Sequence, residues 1–253
     1  EQSIASNIDT AFIVQGLGKN FNLNRLERYL VMVNESSIDP VLILTKTDLL
    51  NENDLDTIRA QVSKRFPGVL FYMMSNKTDE GLEEVRSLFK AKKTYCVIGI
   101  SGVGKSTLLN SLLGEEVLFT LPVRKSDGKG MHSTSWRELI TLKNGAHVID
   151  TPGMRELGNL EADAGIQETF VDIHKISQDC QYKDCTHIET EGCAVKDAVD
   201  TGKLSSERYE HYVLLSKESQ KQNKDAVDKL SKDRKSARFH RSLKFNQSKN
   251  TDQ

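Results

Sequence analysis

The chain has 253 residues, 37% of them hydrophobic and 28% charged, with a formal net charge of −1. That length and apolar content suffice for one full packed domain and a smaller one. No run reaches the roughly 20 apolar residues needed to cross a bilayer, and the opening EQSIASNIDT lacks the basic and apolar regions of a signal peptide, so the reading is a soluble, cytoplasmic protein. The first residue is Glu1 rather than an initiator Met, which is compatible with a processed or partial chain. The near-neutral charge hides an asymmetry, because Lys221 to Lys249 carries ten Lys and Arg against Asp225, Asp228 and Asp233.

In chain order, DTAFIVQ, VLILTK, VLFYMMS and TYCVIGI read as strands, separated by the helix-period segments NLNRLERYLVMV, NDLDTIRAQVSKRF and EGLEEVRSLFK. Strand, helix, strand, repeated, predicts a parallel α/β sheet. Leu23, Leu26, Leu30 and Val33 share one helix face, as do Leu55, Ile58 and Val62 before Pro67 and Gly68 end the second helix. A Gly, Lys and Ser-rich loop, RKSDGKGMHSTS, follows the helix TLLNSLL, and then two strands, WRELITLK and AHVID, meet at an Asn144-Gly145 hairpin turn. From about Gly158 the pattern changes to an amphipathic IQETFVDI, a Cys/His cluster and polar helices without strands. The expected division is a nucleotide-binding domain over 1–157 and a mainly helical domain with a basic tail over 158–253.

Four motifs carry chemistry. Gly99-Ile-Ser-Gly-Val-Gly-Lys105-Ser106 fits the P-loop pattern between a strand and a helix. Its glycines let backbone amides wrap phosphates, the helix N-terminus adds positive potential, Lys105 reaches the β and γ phosphates and Ser106 ligates magnesium. The phosphate-binding set runs from Ser101 through Gly102, Val103, Gly104, Lys105 and Ser106 to Thr107. This motif alone does not say which nucleotide binds. Asp150-Thr151-Pro152-Gly153, delivered by the strand AHVI, matches the position where P-loop GTPases place a magnesium-shell carboxylate and a γ-phosphate-sensing Gly amide. Met154 stands where many GTPases carry a water-orienting Gln, so another group must orient water.

The guanine-reading N-K-x-D motif is not found after Asp150 but upstream, as Thr45-Lys46-Thr47-Asp48, with Ser75-Asn76-Lys77 closing the next strand. In the standard motif the Asp accepts from guanine N1 and N2 while the Lys lies against the ring. TKTD alone is equally a strand-to-helix turn; its weight comes from company, since all four motifs fall at strand C-terminal ends, where open α/β sheets bind ligands. Joining the ends of an ordinary GTPase and cutting it before the guanine-binding strand produces this order, and chemistry depends on space rather than chain order. Thr45 lacks the usual Asn amide, which predicts a weakened tie between the base site and the P-loop.

Cys180-x4-Cys185-x-His187-x5-Cys193 supplies three thiolates and an imidazole, a closed set suited to one structural zinc. Such a short polar segment is expected to lack a core of its own, so zinc removal should unfold it. Cys96, on the strand before the P-loop, reads as a packed core residue. The tail with Arg234, Lys235, Arg238, Arg241 and Lys244 reads as an RNA-binding surface or as a solvated helix face.

The order of these motifs, together with ASNIDTAFIVQ, NLNRLERYL, GKGMHSTS, DTPGMREL and DAVDTGKLSSERYEHY, closely resembles the RsgA (YjeQ) family of circularly permuted GTPases over nearly the whole chain. The resemblance implies a circularly permuted α/β P-loop GTPase domain followed by a small zinc-binding domain, with an N-terminal OB-fold ahead of the residues present here. It implies GTP hydrolysis stimulated by the small (30S) ribosomal subunit, a role in that subunit's late maturation, and contact with its rRNA. It points to His132 as the group that positions attacking water, with an exposed loop His as the alternative. Thr134 is the candidate second magnesium ligand, with Ser133 as rival, so the catalytic set is His132, Lys105 and Thr134. Nothing in the sequence suggests more than a monomer. A nucleotide sensor with negligible turnover and an ATP-using P-loop enzyme are the competing readings.

Overall fold

A computed structural model describes residues 7–19, 21–114, 138–150, 162–188, 190–222 and 224. The apolar runs form β1 (Thr10–Gly16), β2 (Asp39–Thr45), β3 (Leu70–Met73) and β4 (Thr94–Ile98), all parallel, and β5 (Glu138–Thr141) and β6 (His147–Asp150) complete a sheet in the order β3-β2-β1-β4-β6-β5. β5 runs antiparallel to β6 at the edge. Both sheet faces are covered, so alternate residues enter two different cores. Phe12, Val14, Val41, Ile43 and Val97 meet α3 (Leu82–Ser87) and α4 (Lys105–Leu113) through Leu82, Val85, Leu108 and Leu112. Ala11, Ile13, Leu42, Leu44, Cys96 and Ile98 meet α1 (Leu23–Glu35) and α2 (Glu52–Arg65) through Leu26, Leu30, Val33, Leu55 and Val62. Cys96 is thus a core residue.

α1 and α2 start where side chains satisfy their first amides. Asn22 accepts from Arg25 N–H at the head of α1, and Asn51 accepts from Asp54 N–H at the head of α2. Acidic Glu52 and Asp54 open α2, and Lys64 and Arg65 close it, each complementing the helix dipole. The β5–β6 connection differs from the two-residue turn expected. Leu142 N–H bonds to Ala146 O (2.8 Å) and Gly145 N–H to Leu142 O (2.8 Å), leaving a three-residue loop with Gly145 left-handed at φ 83°. Two bonds shape it: Asn144 Nδ2 donates outside the hairpin to Phe89 O (2.7 Å), and Asn144 Oδ1 accepts within it from Ala146 N–H (3.0 Å).

After residue 162 the described residues form α5 (Asp163–Thr169), α6 (Val171–Ser177), α7 (Ala194–Asp200) and a helix α8 over 206–222, with no strand among them. The expectation that this part lacks a core is corrected. Ala162, Ile166, Phe170, Ile173, Val195, Ala198, Leu204 and Leu215 are buried together, and Val31 of α1 completes the cluster. Ala162, Ile166, Phe170 and Ile173 recur at helical spacing, but the residues that complete the core, Val195, Ala198, Leu204 and Leu215, come from separate segments, and Val31 is borrowed from the first half of the chain. α5 lies directly on α1: a Cβ at Gly165 would fall 2.1 Å from Val31 O, and Gly165 N–H donates to Glu35 Oε2 (2.7 Å). No helix among the described residues is long and apolar enough to cross a membrane.

Candidate functional site

The P-loop joins β4 to α4, and Asp150, fully buried at the end of β6, is in register with Val97 of β4. The loop and this carboxylate therefore sit on neighbouring strand ends. Lys105 is only 6% exposed, and its Nζ donates to Gly99 O (2.9 Å) and Ile100 O (3.1 Å). Burial holds its pKa below the ordinary lysine value, against the opposing pull of Asp150. A buried ammonium with an anionic neighbour, at the head of a helix, is a site that gains from an incoming phosphate. Ser101, Gly102 and Ser106 are half-buried along the loop and Thr107 is exposed.

The end of β2 meets the same loop from the other side of β1. Thr45 is fully buried and its Oγ1 donates to Val103 O (2.5 Å). The tie expected to be lost with the Asn amide is therefore present, made by a hydroxyl. Lys46 adopts the left-handed conformation (φ 67°) and its Nζ donates to Gly102 O (2.7 Å). Burial lowers its pKa, with Asp48 opposing. Asp48 lies in a 3-10 turn, Thr47–Leu49, where its Oδ1 accepts from Ser75 Oγ (2.6 Å). Ser75 Oγ in turn accepts from Lys77 N–H (3.1 Å) and Thr78 N–H (3.2 Å), which fixes its hydrogen toward the carboxylate. Asn76 Nδ2 donates to Gly104 O (3.2 Å). A partly exposed carboxylate held by a hydroxyl can accept a pair of donors from a planar ring, and the adjoining loop suits phosphates.

A second centre lies in the helical part. One ligand atom from each of Cys180, Cys185, His187 and Cys193 lies within 4.8 Å of the others. His187 Nδ1 is 3.6 Å from Cys180 Sγ and 3.5 Å from Cys193 Sγ. Tetrahedral zinc with ordinary Zn–S and Zn–N lengths requires S···N edges of about 3.5 Å, so the donor set fits such an ion. Tyr209 Oη donates to His187 O (2.6 Å), which lets α8 hold the left-handed ligand residue in place.

Comparison with known proteins places this arrangement. The profile of the RsgA GTPase family matches residues 1–160. A protein of Listeria monocytogenes serotype 4b (strain F2365), named small ribosomal subunit biogenesis GTPase RsgA 2, is 41% identical over 248 residues, covering 95% of this chain and 71% of its own. The chain belongs to the RsgA GTPase family. Among solved structures, YjeQ from Thermotoga maritima superposes with a TM-score of 0.62 at 27% identity, over 84% of this chain and 72% of that one. YloQ, described as a circularly permuted GTPase, gives 0.61 at 31% identity, over 85% of this chain and 69% of that one. This RsgA-family chain is accordingly a circularly permuted P-loop GTPase, a class that uses magnesium with GTP.

Of the residues expected in the site, Thr45, Lys46, Asp48, Ser75, Asn76 and the P-loop from Ser101 to Thr107 come together in one region, with Asp150 on the neighbouring strand end. His132, Ser133, Thr134, Gly153 and Met154 lie outside the described residues, as does the basic tail from Arg234 to Lys244. The contact that sequence reasoning missed is Asn76 with the P-loop. Asn76 was expected in the nucleotide-binding set, but its bond to the P-loop was not, because its partner Gly104 lies 28 positions away.

Proposed function

We propose that this chain acts in late maturation of the small ribosomal subunit, hydrolysing GTP to GDP and phosphate with stimulation by the subunit. The observation that carries the reading is the hydrogen-bonded meeting of Thr45, Lys46 and Asn76 with the P-loop, because it joins a base-reading carboxylate to a phosphate cradle despite their reversed chain order. The names of the RsgA relatives support the ribosomal assignment.

In this reading Asp48, oriented by Ser75, accepts from guanine N1 and N2, and the Lys46 stem lies against the ring. The amides of Ser101 to Thr107 hold the phosphates, and Lys105 turns from Gly99 and Ile100 to the β and γ oxygens, where its charge opposes the negative charge of the transition state. Ser106 and Thr134 would hold Mg2+, with Asp150 behind, and that ion supplies phosphate charge neutralisation when bound. Gly153 senses the γ phosphate and His132 positions water, the role that Met154 cannot fill. Cys180, Cys185, His187 and Cys193 would hold one structural Zn2+, with no open position for catalysis. The boundary falls between 1–157 and 158–253, the basic tail contacts rRNA, and the protein works as a cytoplasmic monomer.

The test is GTP and ATP turnover with and without purified small ribosomal subunits. The reading predicts strong stimulation of GTP turnover alone; equal response of both nucleotides, or of neither, contradicts it.

A further inference from the structure

A loop that turns its amides toward an anion turns its carbonyls away, and buried carbonyls need donors of their own. In this chain three consecutive P-loop carbonyls obtain them from the base-side loops. Lys46 Nζ donates to Gly102 O, Thr45 Oγ1 to Val103 O and Asn76 Nδ2 to Gly104 O. Two earlier carbonyls, of Gly99 and Ile100, are held by Lys105, the side chain that must leave them when it turns to phosphate.

Asn76 is the least expected of the three base-side donors. Gly104 O already accepts the first bond of α4 from Leu108 N–H (2.9 Å), and the Asn76 amide fills its second acceptor direction. A Cβ at Gly104 would lie 2.7 Å from Asn76 Nδ2, so the glycine at this left-handed position also admits the amide. Asn76 Oδ1 is buried with no hydrogen-bond partner among the described residues, so the amide is not held there by a second bond from its other end. Beside the Thr45 hydroxyl, which already donates to Val103 O, the amide that TKTD lacks at position 45 is supplied from the neighbouring strand end.

We propose that Asn76 is a positioning residue which, with Thr45, fixes the shape of the phosphate loop, so that a residue of the base-side loop sets affinity for the phosphates rather than for the base. This rests on the nucleotide-site reading given above. Only a contact with the base would change discrimination between bases; a residue acting through the loop changes affinity for every ligand that carries the phosphates by one common factor.

The experiment measures GDP, IDP and inorganic pyrophosphate affinity by titration calorimetry on the full chain, for the natural protein, Asn76→Ala, Thr45→Val and Lys105→Ala, with thermal unfolding of each ligand-free protein. The expected result is that Asn76→Ala weakens all three ligands by the same factor, about fivefold for one net hydrogen bond, at an unchanged unfolding temperature. Thr45→Val should do likewise at the adjacent carbonyl, and serves alone if Asn76→Ala does not fold. A changed GDP to IDP ratio, or unchanged pyrophosphate affinity, overturns the proposal. Failure of the nucleotide-site reading looks different: the natural protein would bind GDP no better than Lys105→Ala.

Discussion

Glu27 is fully buried in α1, yet it keeps its charge because cations from two other helices surround it. Arg65 Nε and Arg208 Nη1 each lie 2.5 Å from Oε1, and His211 Nδ1 lies 2.5 Å from Oε2. Arg208 continues to Asp172 through two bonds (2.6 and 2.7 Å) and lies over the Phe170 ring. Burial alone would raise the Glu27 pKa, but the bonds from His211 and Arg65 and the charges of Arg65 and Arg208 outweigh it and hold it below the ordinary 4.5. Asp172 is lowered in the same way, by Arg208 against burial. A carboxylate whose folded pKa is depressed contributes stability that is present above the unfolded value and lost as pH falls through the folded one. Urea unfolding across pH 7 to 3 should therefore show stability falling below pH 4.5, with a shallower fall for Glu27→Gln. At pH 7 that variant should lose about 3 kcal/mol, because Arg65 remains buried without its counter-charge while Arg208 keeps Asp172. Parallel pH curves would refute this account of the junction. None of it was legible in the sequence: Glu27 and Arg208 are separated by 181 positions, and a charge followed by its burial partner that far away carries no periodic signal.

At the scale of elements, the strands and the first two helices were legible because their apolar periods of two and 3.6 are local properties. The β5–β6 loop was not, because the Asn144 contact with Phe89 that shapes it is tertiary. The helical part was half legible. Its Cys and His spacing pointed to the residues that come together as a possible ligand set, while its core depends on Val31 of α1 and on the close approach allowed by Gly165. This changes what metal removal should do. The 180–193 segment has four prospective ligands and few other anchors, whereas α5 and α8 are held by α1, by Ser219 with Asp163 (2.7 Å) and by Arg28 with Glu218 (2.6 Å). After chelation, limited proteolysis should cut within 180–193 while α5 and α8 stay protected. Loss of protection over all of 162–222 would show instead that the metal holds the whole unit.

On the scale of the whole molecule, the permuted order works because the sheet places β1 between β2 and β4, so the TKTD strand end and the P-loop strand end flank one strand. The motifs were legible from their positions after apolar runs, and the sheet order makes them neighbours. The bonds that join them were not legible, since a hydroxyl and a displaced amide make contacts that the family pattern assigns to an Asn. The central claim, that Asp48 reads guanine in a site completed by a P-loop found later in the chain, is tested most directly by nucleotide affinity of Asp48→Asn. Replacing one acceptor oxygen by a donor should weaken GTP by about 100-fold, through loss of one charge-assisted hydrogen bond and of the charge behind the other, and should strengthen XTP, whose 2-oxo group accepts from the new amide. Unchanged GTP affinity and no gain for XTP would contradict the claim.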